Sequence, residues 1–226
     1  MFYDELGAHK KMEEKEEKFT GSKSYLEKSF LEELSFKIWS TKGARFQADT
    51  RLKKKSKLSN ISLAFLAAYL IIASLLSVHN LNNGSDKDII NYFITALSIL
   101  LLVISMYENN QEYKLRANTY HNCGLELGVL YNKLRIFKTL RDSPSNFEVY
   151  NFCKNLTDEY QSVLLRYENH EPIDLSKFKT QKPEHFKELT EKDIKKTNRK
   201  FRWEIYGWYS IIIGVPPLIL IVYICT

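Results

Sequence analysis

Apolar and polar positions along this chain fall into long blocks before they fall into short periods. Residues 61–78, 89–107 and 205–225 contain no Asp, Glu, Lys or Arg and run for 18, 19 and 21 residues. A hydrocarbon core of about 30 Å needs about 20 apolar residues wound as a helix, so each block is long enough to span. The blocks predict transmembrane helices over 59–79 and 89–107, joined by a short polar connection, and a third over 205–225. Pro216 and Pro217 sit in the middle of the last block, where each removes a backbone donor, so a kinked span is expected there, with a re-entrant or interfacial segment as the alternative. Trp203, Tyr206, Trp208 and Tyr209 at its start suit an aromatic anchor at the membrane surface.

Between the blocks the pattern is helical. Residues 1–23 are charged and turn-rich and read as a frayed or disordered tail. Ser24 and Glu27 have capping-box spacing and open a helix over 24–58, with an interruption expected near Gly43. Tyr113, Tyr120, Leu127 and Leu134 recur every seven residues, with Cys123, Leu130 and Phe137 three places after the last three and Arg116 as the polar exception. This is a heptad seam leading straight out of the second block, and it is read as an oligomer seam. Gly124 and Gly128 on its flank would let another backbone come close. The helix should stop near Pro144. Ser145 and Glu148 form a second capping box, and Val149, Cys153, Leu156, Tyr160, Val163 and Tyr167 alternate by four and three, predicting an antiparallel partner helix. Residues 170–197 read as an irregular stretch and a short polar helix. No useful β alternation appears. The fold class is an all-α membrane protein: a transmembrane hairpin, a coiled-coil-like cytoplasmic helical bundle over 108–204, and a third C-terminal transmembrane helix.

Charge orients this arrangement. Five of the seven residues 51–57 are basic, namely Arg51, Lys53, Lys54, Lys55 and Lys57, whereas the connection after the first block carries one Lys against two Asp. By the positive-inside bias the N-terminus is cytoplasmic, the connection outside and the C-terminus outside. The net charge of +6 therefore reads as orientation and contact with anionic headgroups, not as a nucleic-acid footprint. The N-terminal segment lacks the apolar core of a cleavable signal peptide.

Little points to catalysis. Phosphate-cradling, dinucleotide-binding, nucleophile-elbow and zinc motifs are missing, so no catalytic residue, metal site or cofactor is expected. The three Cys have no regular spacing, which fits a reducing compartment. His121 and Cys123 on one helix diverge by about 200° and cannot act as a pair. The more specific feature lies in the second block, where Asn91, Thr95, Ser98 and Ser105 make a polar stripe along one face. It either packs the hairpin or lines a water-filled path in an oligomer. In the first block Ser62, Tyr69 and Ala73 form a weaker stripe. Without a charge in any block, a proton relay or ion-coupled transporter is not expected.

The run STKGARFQADTRLKKKSKLSNISLAFLAAYLIIASLLSV, the second apolar block, and ENNQEYKLRANTYHNCGLELGVLYNKLR together resemble the SLATT proteins, the SMODS and SLOG-associating two-transmembrane effector domains of bacterial conflict systems. The resemblance is closest over residues 24–140 and looser over 145–205, and a third span departs from the two-span name. It implies a membrane effector of antiphage defence in the bacterial inner membrane, oligomerising into pores when a linked sensor fires, so that infection is aborted. The sensor it implies is a nucleotide second-messenger synthase or a reverse transcriptase. Inner-membrane lipids and further copies of the chain are the expected partners, with no direct nucleic-acid binding. The rival reading is a non-conducting anchor or scaffold that docks an enzyme at the cytoplasmic face.

Overall fold

The computed structural model describes residues 29–78 and 86–225. The expected tail over 1–23 and the capping box at Ser24 and Glu27 lie outside them. Six helices follow in order: α1 Phe30–Val78, α2 Asp86–Asn110, α3 Tyr113–Leu140, α4 Asn146–Arg166, α5 Pro172–Thr180 and α6 Glu191–Cys225. Among the described residues there is no strand.

The first helix is a single rod of 49 residues that carries the polar N-terminal segment into the first apolar block without a break. The expected interruption at Gly43 does not occur. Gly costs about 1 kcal/mol against Ala in a helix, too little to end one that is packed along its length. Gly43 has a packing role instead: a Cβ there would lie 2.2 Å from the ring of Phe178, so its absence lets α5 settle on α1. Trp39 extends this contact, edge-on to Phe178 and stacked on Phe186.

The heptad seam of α3 is buried, with Tyr120, Leu127 and Leu134 at most 2% exposed. What buries it is the chain itself. Leu34 and Ile38 of α1 and Leu156, Tyr160 and Val163 of α4 share one cluster with Cys123, Leu127, Leu130 and Leu134, while Ala48 and Leu52 pack on Ala117 and Tyr120. Gly124 admits a side chain, with Phe46 against it, and not a second backbone. The turn into α4 is as expected: Ser145 and Glu148 form a reciprocal capping box, and Phe137 stacks on Phe152 at 3.9 Å.

Residues 170–197 are more ordered than the sequence implies. Glu171 and Asp174 cap the nine-residue α5, whose Pro172 takes a first-turn position where its missing N–H costs nothing. Thr190 and Asp193 exchange bonds at the start of α6, so the polar helix expected before the third block is the beginning of that same helix.

A second layer is built from the apolar blocks. Leu66 of α1, Leu97 and Ile104 of α2, and Tyr209 and Ile212 of α6 form a core of their own. Its outward residues stay apolar, among them Ile71, Leu75, Ile99, Leu102, Val103, Leu218 and Ile219, all at least half exposed. A helix facing water puts polar residues there, whereas these faces suit lipid or neighbouring helices. Helix α6 continues through Pro216 and Pro217. Pro217 cannot donate to the carbonyl four residues earlier, that of Ile213, and the Tyr69 hydroxyl of α1 donates to it instead at 3.0 Å.

Candidate functional site

The two layers meet where α2 gives way to α3. The joint between them, Gln111 and Glu112, places Glu112 at φ 48° and ψ 35°, a left-handed conformation uncommon outside glycine. A cleft of about 830 Å³ opens beside it, walled by Ser56, Ser59, Asn60, Ser105, Asn109 and Asn118, with Glu108, Glu112 and Lys114 as its charged members.

Glu108 is the group that sequence reasoning missed. It follows the second apolar block directly and was read as the start of the cytoplasmic segment, yet it is 4% exposed. Tyr209 of α6 donates to its Oε2 at 2.8 Å, and the Tyr113 hydroxyl of α3 lies near that of Tyr209. Three helices thus meet in one polar contact on either side of the Glu112 joint. Burial pushes the Tyr113 phenol up. Glu108 Oε1 has no protein partner, and neither does the buried Ser62 Oγ. The sequence did hold a signal: a carboxylate directly after one apolar block and a tyrosine five places into the block expected at the same depth. Of the four residues expected to form an aromatic anchor, Tyr209 is buried, and Trp203, Tyr206 and Trp208 are exposed.

Most of the polar stripe lies outside the hairpin's own packing. Asn91, Thr95 and Ser98 are exposed, and Ser105 is half-buried at the cleft. Leu97 and Ile104, about a third of a turn away, form the buried face of α2. Thr95 and Ser98 hydroxyls donate to backbone carbonyls of their own helix, those of Asn91 and Thr95, and only Asn91 reaches across, accepting from Ser77 at 3.0 Å.

The five basic residues beside the first block part company. Lys53, Lys54 and Lys57 are exposed, Lys53 in an i,i+4 pair with Asp49. Lys55 is partly covered, over the Tyr113 ring, and its pKa is lowered first by burial and then by Arg51. Arg51 is no headgroup ligand. Its side chain is 1% exposed and grips the fully buried Asp174 through Nε at 2.8 Å and a terminal nitrogen at 2.9 Å, with Glu171 also at 2.9 Å. Burial opposes its charge, but the hydrogen bond and charge of Asp174, then Glu171, hold its pKa above the usual value. A planar guanidinium suits this bidentate role, which lysine cannot fill.

The seam residues are likewise placed inside one chain. Tyr120 donates to the Asn169 carbonyl at 2.9 Å, Leu127 and Leu134 lie in the core shared with α1 and α4, and Tyr113 packs beside Ala117 and Tyr120. His121 Nδ1 lies 3.3 Å from Asp49 and points away from Cys123, whose thiol burial pushes its pKa up. Among the described residues no group of His, Cys, Asp and Glu is placed to hold a metal.

A family model, the SMODS and SLOG-associating 2TM effector domain family 5, matches residues 27–223. The chain belongs to this family, whose members are two-transmembrane effectors of defence systems, linked by name to SMODS and SLOG sensor proteins. Two helical stretches, within Phe30–Val78 and Asn91–Leu140, are long and apolar enough to cross a membrane, which together with the two-span family points to a membrane location. No curated protein and no solved structure matches the chain.

Proposed function

We propose that this family member is the membrane effector of a bacterial antiphage system, which oligomerises in the inner membrane and opens a conducting path when a linked sensor fires. N-terminal and bundle helices stand on the cytoplasmic side, α1 and α2 cross, and α6 crosses a third time with its C-terminus outside. The linked sensor is a nucleotide second-messenger synthase or a reverse transcriptase. Lys53, Lys54 and Lys57 rest among anionic headgroups. No chemistry is assigned to the chain itself.

The observation that carries this reading is the position of the stripe. Asn91, Thr95 and Ser98 remain exposed after α1 has packed on α2, and only Asn91 is spent across the hairpin, on Ser77, so most of the stripe is not consumed in closing it. A row of hydroxyls and an amide facing hydrocarbon is unfavourable, and assembly around a shared axis turns it toward water. Replacing Asn91, Thr95, Ser98 and Ser105 together by Leu should leave expression and membrane insertion intact and cut dye leakage from protein-loaded vesicles by at least tenfold. Undiminished leakage would remove the stripe from the mechanism.

One observation favours the rival reading of a non-conducting scaffold. Thr95 and Ser98 already satisfy their hydroxyls on their own helix and do not require water. Planar-bilayer recordings separate the two, since a scaffold passes no current.

A further inference from the structure

We infer that two copies of this chain pair in parallel along a second heptad seam, on the face of α3 opposite the one buried against α1. The inference rests on the oligomeric reading above and assigns it a contact surface. Leu115, Val129 and Ile136 lie on one seven-residue repeat of α3, with Leu125 four residues before Val129, and they are 60%, 57%, 58% and 54% exposed. They form a stripe about 160° around the helix from Tyr120, Leu127 and Leu134, so α3 has two apolar faces and its own chain covers only one.

Lipid cannot cover the second. The far half of α3 packs through Leu130 and Leu134 on Leu34 and Ile38 of α1. Those residues precede the first apolar block by 23 or more positions, which sets them about 35–40 Å along a straight helix from the bilayer. Val129 and Ile136 therefore stand in the cytoplasm, where exposed heptad-spaced apolar residues call for a helix partner.

Asparagines identify that partner as a second copy. Asn122 occupies the repeat position between Leu115 and Val129, and Asn118 and Asn132 flank Leu125 at the companion position; all three are exposed. An amide both donates and accepts, so in a parallel, in-register pair each Asn meets its own counterpart and satisfies it. A partner with a plain apolar seam would leave three amides buried without bonds. The membrane imposes the parallel direction, because α3 leaves the bilayer the same way in every copy and cyclic assembly preserves that direction. Flanking positions agree: Lys114 of one copy comes opposite Thr119 of the other, His121 opposite Glu126, Gly128 opposite Lys133 and Arg135 opposite Leu140, so no like charges meet.

The test uses the full chain in membranes. Val129→Cys and Ile136→Cys, oxidised with copper-phenanthroline, should give a dimer band at least tenfold stronger than the exposed control Lys154→Cys on α4. A band no stronger than the control overturns the seam. The double change Val129→Lys with Ile136→Lys, on surface positions that leave the chain's own core intact, should reduce the detergent-solubilised oligomer to monomer, and an unchanged size overturns the seam. Dye leakage measured alongside separates the two ideas. Leakage without seam cross-linking places the assembly elsewhere, whereas cross-linking without leakage sustains the seam and defeats the conducting reading.

Discussion

Arg51 stands beside the exposed Lys53, Lys54 and Lys57, yet its own charge is sealed between α1 and α5 by Asp174 and Glu171. A buried pair is weak evidence of net stabilisation, but breaking one partner strands the other in a poor dielectric. Arg51→Ala should cost about 3–5 kcal/mol in denaturant unfolding, and replacing Arg51 and Asp174 together by Met and Leu should recover most of that loss. The run of positive charge was legible in the sequence; what separates Arg51 from its neighbours is the carboxylate 123 positions away, which no local pattern displays. His170 offers a second residue-scale test. Burial, then the charge of Arg45, lowers its pKa below 6.5, with Asp174 opposing. The unfolded chain therefore takes up a proton at higher pH than the folded one. Its contribution to stability is complete above the unfolded value near 6.5 and is lost as pH falls through the lower folded value. The unfolding midpoint should drop between pH 7 and pH 5, and His170→Asn should flatten that slope.

Helices show where sequence periodicity sufficed and where it did not. The heptad of α3 and the four-three pattern of α4 marked the right buried residues, because a helix displays its buried face as a period in its own sequence. The identity of the covering element is not written in that period, and the partner of α3 is α1 as well as the expected α4. Gly43 was expected to interrupt α1 and the two prolines to kink the last block; propensity is local, and a tertiary contact answers Gly43 and Pro217. Tyr69 is the answer to Pro217. Removing its hydroxyl in Tyr69→Phe should cost about 0.6–1 kcal/mol, in line with hydrogen bonds between membrane helices. Pro217→Ala restores the missing amide donor to the Ile213 carbonyl, so in that background the Tyr69→Phe penalty should largely vanish. A double-mutant cycle on unfolding in detergent measures the coupling.

Across the whole molecule, the apolar blocks and the polar bundle were visible from composition, while the site where they join was not. Glu108, Tyr113 and Tyr209 come from three separate helices and converge only once α6 has docked beside α2. That junction is built unequally. On one side α1 passes from the far end of the bundle to the last residue of its apolar block as one uninterrupted helix; on the other, α2 and α3 are separated by the left-handed residue Glu112. From Phe30 to the start of the apolar block at Ile61, α1 measures about 46 Å, a long arm ahead of its apolar half. A tilt of about 5° moves its cytoplasmic tip about 4 Å over that length, and the same rotation passes undiminished into the buried half. The pair beside it is broken at Glu112, and α3 beyond that break is packed along α1. A displacement at the distant end of α1 would thus reach its apolar half without a break, whereas α2 and α3 carry one at Glu112.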